Sequence, residues 1–344
     1  MTPQQLLGIE LPIIQAPMAG IQTSAMAIAV SNAGGLGSLP AAMLSLDALR
    51  QELAAIRAQT DKPFNVNFFC HTPSEPDAHR EAAWRSALAP YYLEHGIDAT
   101  AIAPGLGRMP FNTAVADIVA EFAPPVVSFH FGLPPAELLA RVRAWGAKVI
   151  ASATTVEEGL WLQERGVDAV IAQGLEAGGH RGHFLSDDLS QQMGTFALLP
   201  QLVRVLKVPV IAAGGIADAQ GVAAVLALGA VAAQVGTAYM LCPEATTSAV
   251  HRAALQSDAA RHTALTHLFT GRPARGIVNR AMRELGALNP VAPRFPLATT
   301  AIAPLRAKAE GQGLGDFSPL WSGQNANGCK AMPAAQLTRE LAGG

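Results

Sequence analysis

Short apolar runs of four to six residues recur along the chain. Each is followed by a Gly, Pro or Asn signal and then by a stretch with helical spacing. Runs of that length read as buried strands, and the longer segments behind them as helices packed on the sheet. The pattern predicts strands over Pro12–Ala16, Gly35–Leu39, Phe64–Phe68, Val126–Phe131, Lys148–Ala153, Ala169–Gln173, Val208–Ala212 and Ala232–Val235. Strand alternating with helix predicts a parallel sheet, and eight such strands close it. The expected fold is therefore α/β: a (β/α)8 TIM barrel with a smaller helical domain inserted after the last strand. An open doubly wound sheet is the competing architecture, but the first strand runs into Ala16-Pro17-Met18-Ala19-Gly20 rather than the G-x-G-x-x-G of a dinucleotide-binding sheet.

The repeat is interrupted twice. His71-Thr72-Pro73-Ser74-Glu75-Pro76 opens a helix-rich excursion over about 72–107, which reads as an inserted lid or packing helix. The segment after the eighth strand is rich in Ala, Arg and Leu at helical spacing. The expected organisation is a barrel over 1–242, a small helical substrate-side domain over 243–323, and a segment over 324–344 that returns to the barrel. The most membrane-like stretch, Ala223 to Met240, is divided by Gly229, Gln234, Gly236 and Thr237 into a helix half and a strand half, as barrel wall would be.

Composition narrows the partners. Half of the 344 residues are hydrophobic, enough for a sizeable core. A net charge of −2 leaves no basic excess for nucleic acid or an anionic membrane surface. Cys70, Cys242 and Cys329 form no C-x-x-C pair, and Met1-Thr2-Pro3-Gln4-Gln5 has no positive region leading into an apolar stretch. A reducing, cytoplasmic setting is expected.

Candidate chemistry collects at the C-terminal ends of the strands. Ala212-Ala213-Gly214-Gly215-Ile216-Ala217-Asp218 and Gln234-Val235-Gly236-Thr237 follow the last two strands, where barrels of this type commonly hold a phosphate on backbone N–H groups. A single phosphate, as in FMN, suits these turns better than a pyrophosphate, although a sugar phosphate would use the same loops. Gln173-Gly174-Leu175-Glu176-Ala177-Gly178-Gly179-His180-Arg181-Gly182-His183 puts an imidazole, His180, among glycines that let backbone lie against a flat ligand. His180 and His183 lack an evident third ligand, so no metal is expected. Asn67 and Gln173 carry amides suited to a flavin ring or its ribityl hydroxyls. Met18 could lie against a ring face, and His130 either lines the substrate space or is a buried structural histidine.

Gln15-Ala16-Pro17-Met18, Asn67, Glu176-Ala177-Gly178-Gly179-His180, Ala213-Gly214-Gly215-Ile216, Gln234-Val235-Gly236-Thr237 and Thr270-Gly271-Arg272-Pro273-Ala274-Arg275 together resemble the nitronate monooxygenase family, formerly the 2-nitropropane dioxygenases. The likeness covers nearly the whole chain. Ser128 to Gly132 and Trp321-Ser322-Gly323-Gln324 are similar to its bacterial class. The resemblance implies an FMN-binding barrel that oxidises alkyl nitronates, such as propionate 3-nitronate, with O2 to a carbonyl compound and nitrite through a flavin semiquinone. His180 then matches the active-site histidine. Asn67, Gln173, Gly178, Gly215 and Gln234, Val235, Gly236 and Thr237 match FMN-contacting positions, with Ala16, Met18, Gly179, Gly214 and Gln324 expected to join them. Where relatives tend to place a tyrosine near the flavin, Pro290 to Lys308 holds Phe295-Pro296 and no tyrosine. The same barrel and loop also occur in relatives that reduce quinones with NADH or reduce enoyl-acyl carrier protein. A phosphate-ligand barrel without flavin is the remaining alternative. A small-molecule nitronate and O2 are the expected partners, with a homodimer left open.

Overall fold

The computed structural model describes residues 1–103 and 107–344, so part of the expected excursion, 104–106, lies outside the described residues. The strands are β1 Ile13–Gln15, β2 Gly37–Pro40, β3 Phe64–Phe69, β4 Val126–His130, β5 Lys148–Ala153, β6 Ala169–Gln173, β7 Gly179–His180, β8 Val210–Ala213, β9 Ala232–Val235, β10 Thr263–Thr266 and β11 Ala274–Ile277. Eight of them form one parallel sheet in the order β1-β9-β8-β6-β5-β4-β3-β2. A parallel bridge between Ile14 and Leu36 joins its two edges. The sheet is thus a closed TIM barrel with helices between the strands, as the hydrophobic pattern predicts. Each expected strand is present, displaced at its ends by at most two residues.

Strand alternation explains why both sides of the wall are filled. In β6, Val170 and Ala172 face the helices, whereas Ala169 and Ile171 join Ile14, Leu36, Val126, Ile150 and Ile211 inside the barrel. The five-residue helix Pro3–Leu7, capped by Thr2, contributes Leu6 and Leu7 to this inner cluster. Higher in the barrel the interior becomes polar: the Asn65 amide donates to Ser38 and Ser128, and that of Asn67 donates to Ser128. The inward positions at the mouth therefore carry hydrogen-bonding side chains.

The segment after β9 is not helix alone. β10 and β11 form an antiparallel hairpin, and β11 pairs with β7, so that Ala274 and Arg275 stand opposite His180 and Gly179. A second hydrophobic core lies outside the barrel. The inserted helix Ala78–Glu94 contributes Trp84, Leu88, Tyr91 and Tyr92 to it, packed with Leu268, Phe269, Ile302, Leu305 and Phe317. The Tyr92 hydroxyl donates to the Ala301 carbonyl at 2.7 Å. The inserted helix is thereby a wall of the small unit. At the C-terminus, the amphipathic helix Ala334–Leu341 returns to the barrel surface and buries Leu337 and Leu341 there. Among the described residues no helix is long and apolar enough to cross a membrane.

Candidate active site

A cavity of about 400 Å³ opens at the C-terminal mouth of the barrel and extends beneath the small unit. Its lining brings together Ala16, Met18, Asn67, His130, Gln173, Gly178, Gly179, His180, Gly214, Gly215, Gln234, Gly236 and Thr237. Two of the expected positions stand apart. Val235 points outward into the helix layer, because alternation in β9 sends Gln234 to the cavity and its neighbour to the wall. Gln324 is exposed and meets the site through its backbone N–H, which donates to the Glu176 carbonyl, while its neighbour Asn325 reaches the cavity.

One end of the cavity is built from backbone. Gly214 and Gly215 have φ of +117° and +73°, a conformation that side chains with a Cβ resist. Gly236 and Thr237 open a short 3-10 turn, Thr237–Leu241, that has no side-chain cap. A strap over residues 321–329 fastens these turns together. The Gly323 N–H donates to Thr237 Oγ1 at 2.9 Å, and Asn325 Nδ2 donates to the Gly215 carbonyl at 3.2 Å. Beside them Gln234 Oε1 is buried with no hydrogen-bond partner among the described residues. An orphan acceptor at a cavity wall calls for a donor from a ligand.

At the other end stands His180. Its ring is edged by Phe69, Phe131, Phe295 and Trp321, with centroids 5.5–6.3 Å away, and Nε2 lies 2.9 Å from the Thr270 hydroxyl. Burial, with the nearby charge of Arg108, holds its pKa well below the ordinary histidine value. Phe295, in the segment that the sequence shows to hold no tyrosine, is one of these rings, 5.5 Å from His180.

His130 and Gln173 spend their side chains on the loop that carries His180. His130 Nε2 donates to the His180 carbonyl at 3.2 Å, so its Nδ1 accepts from Ser152 at 3.0 Å. Burial brings the His130 pKa down to about 3, and the ring is neutral. Gln173 Nε2 donates to the same carbonyl and Oε1 accepts from the Gly182 N–H. Behind the loop, the fully buried Arg181 donates to the carbonyls of Gln173 and Gly174. His183 is buried beside Asp187 and is not part of the cavity wall.

The sequence by itself leaves Phe69 and Arg108 unassigned at this site, and holds Thr270 and Trp321 only inside quoted motifs. Phe69 is the inward position two residues beyond Asn67, and its role was readable from alternation alone. Arg108 had no such signal, since it lies on irregular chain between helices.

The nitronate monooxygenase family model matches residues 2–344. A nitronate monooxygenase of Paraburkholderia phytofirmans is 44% identical over 98% of this chain and 92% of its own. One from Pseudomonas aeruginosa is 43% identical over 98% of this chain and 97% of its own. Among solved structures, nitroalkane oxidase from Streptomyces ansochromogenes superposes with a TM-score of 0.88 at 37% identity, covering 99% of this chain and 96% of its own. Barrel, loop geometry and sequence agree across the full length, and the chain belongs to the nitronate monooxygenase family.

Proposed function

We propose that this chain catalyses the FMN-dependent oxidation of alkyl nitronates, propionate 3-nitronate among them, by O2 to a carbonyl compound and nitrite. One observation carries the reading. A single cavity has glycine turns and an orphan acceptor at one end, a neutral histidine in an aromatic enclosure at the other, and no Asp or Glu in its described lining.

The residues present fit FMN. The turns at Gly214-Gly215 and Gly236-Thr237 offer backbone N–H groups to a terminal phosphate, and Gln234 Oε1 offers an acceptor to the ring or ribityl donors. Ala16 and Met18 supply apolar surface at the mouth, and Asn67 an amide. FMN, when bound, supplies the electron acceptor and passes electrons to O2.

The chain's own groups set what reaches it. A nitronate arrives already deprotonated, so no strong base is required, and His180 with its depressed pKa is a weak one. Its task is to orient the substrate against the flavin, its ring fixed by Thr270 and its backbone carbonyl by His130 and Gln173. Neutral nitroalkanes, which need the α-proton removed, should react far more slowly. Free thiols at Cys70, Cys242 and Cys329 accord with a cytoplasmic setting.

The deciding experiment is aerobic turnover of propionate 3-nitronate with nitrite measured, beside anaerobic mixing with NADH. The proposal expects nitrite release and a flavin that NADH scarcely bleaches. Rapid bleaching by NADH without nitrite release would make the chain a flavin reductase instead.

A further inference from the structure

An anionic substrate needs a counter-charge, and His180 does not supply one. The cationic side chains near its ring are few. Arg272 sits 4.1 Å over the Phe131 ring and donates to the carbonyls of Arg181 and His183. Arg306 lines the cavity but donates to Glu310 at 2.8 Å, and the nearby histidine that feels its charge is His251 rather than His180. Arg108 differs from both. Its backbone is pinned by His71, whose Nε2 donates to the Arg108 carbonyl at 2.9 Å. Its guanidinium reaches the cavity wall, 5.9 Å from the Phe295 ring that borders His180. Among the described residues it has no carboxylate and no hydrogen-bond acceptor.

A guanidinium held partly out of water without a partner is costly, and its five donors match a planar oxyanion in two-point fashion. We propose that Arg108 is the oxyanion-binding residue of the site, receiving the two nitronate oxygens beside His180 and selecting the charged nitronate over the neutral nitroalkane. This inference rests on the proposed nitronate chemistry. It assigns the counter-charge to Arg108, leaving to His180 only orientation. The same geometry should accept nitrate, a planar oxyanion that cannot react, and retain product nitrite weakly.

The test compares wild type, Arg108→Met and Arg108→Lys, each loaded with FMN and checked for flavin content. Steady-state kinetics with ethyl nitronate and neutral nitroethane are paired with calorimetric titration of nitrate. Loss of a charge-assisted pair should raise KM for the nitronate in Arg108→Met by roughly 10- to 100-fold. Its kcat should change little, nitroethane turnover should be nearly untouched, and nitrate should no longer bind. Arg108→Lys should recover part of the nitronate KM, because charge is restored without the two-point fork. An unchanged nitronate KM, or nitrate binding that survives in Arg108→Met, would overturn the assignment. Wild type that binds nitrate through Arg108 but releases no nitrite from any nitronate would sink the activity reading while leaving the oxyanion site in place.

Discussion

His180 is uncharged throughout the range in which an assay would be run, because its ring is enclosed by four aromatic side chains and the nearest charges are cationic. A histidine whose folded pKa is depressed loses its proton only at acid pH. The kcat/KM for a preformed nitronate should therefore show no step near pH ~6.5 and stay flat from pH 6 to 8. A pH profile that climbs through that window would mean the enclosure opens in solution. His180→Asn should remain yellow, since the turns proposed to hold the phosphate, Gly214-Gly215 and Gly236-Thr237, belong to other strands than the one that leads into the His180 loop. If the imidazole acted as base, neutral nitroalkane turnover would fall far more than nitronate turnover, by the ~10²–10⁴-fold that general-base help is worth. Equal losses would leave orientation as its role. Beside it, Phe131 has φ of +69°, a costly conformation for an aromatic residue, and is 3% exposed. Its ring is clamped between Phe69, 4.8 Å away, and the Arg272 guanidinium. The strain thus sits where the chain turns from β4 into the active site.

At the scale of elements, the loop carrying His180 is held from three sides: the barrel mouth, the hairpin β10–β11 and the strap over 321–329. Glycine separates two of these contacts in a testable way. A Cβ at Gly178 would lie 2.5 Å from the Gly323 nitrogen, whereas one at Gly179 would meet nothing within 4 Å, although φ there is +71°. Gly179→Ala should therefore cost only the backbone strain, about 1–2 kcal/mol. Gly178→Ala must lift the strap, and with it the tie to Thr237, so both thermal midpoint and FMN retention should drop further than in Gly179→Ala. Equal midpoints for the two variants would mean the strap is not seated on the loop. At the turn proposed to hold the phosphate, a Cβ on Gly236 would stand 3.3 Å from the Ala16 Cβ, so Ala is tight and a larger side chain must push into the mouth. Gly236→Leu is expected to fold but to be purified without flavin, as absorbance near the flavin band would show; full flavin content would move the phosphate elsewhere.

For the molecule as a whole, burial depresses several histidines, His180 and His71 among them. Burial lowers His130 and His183 to about 3 and His251 to about 4. The unfolded chain, with histidines near ~6.5, binds more protons than the native state below that pH. Stability from these groups is present above ~6.5 and is lost as pH falls toward the folded values. Each contributes a loss of up to about 2 kcal/mol between pH 6.5 and 5. The urea midpoint should consequently drop between pH 7 and 5, and His251→Gln should flatten that dependence by about one proton's share. A midpoint independent of pH over this interval would show that these rings already titrate in the native state. The second hydrophobic core also couples distant parts of the chain, since Trp84 and Tyr92 pack with residues more than 200 positions away.

The barrel was legible in the sequence because it is written in local periodicity: short apolar runs, helical spacing behind them, and glycine at the turns. Position at the ends of β3 and β6 likewise marked Asn67 and Gln173 as mouth residues, and the turn after β9 brought in Gln234, because the C-terminal strand ends of such a barrel surround its mouth. What no local pattern contains is which long-range partners meet. The pairing of β7 with β11, the descent of Arg108 into the cavity from irregular chain, and the commitment of His130 to the His180 carbonyl all join segments tens of residues apart. Val235 shows the limit of motif matching: it stands inside a matched turn, yet the two-residue period of its strand turns it away from the site. The neutral state of His180 is likewise a tertiary property. It comes from four aromatic rings and a cation brought to one place by the closed barrel and the unit packed over its mouth.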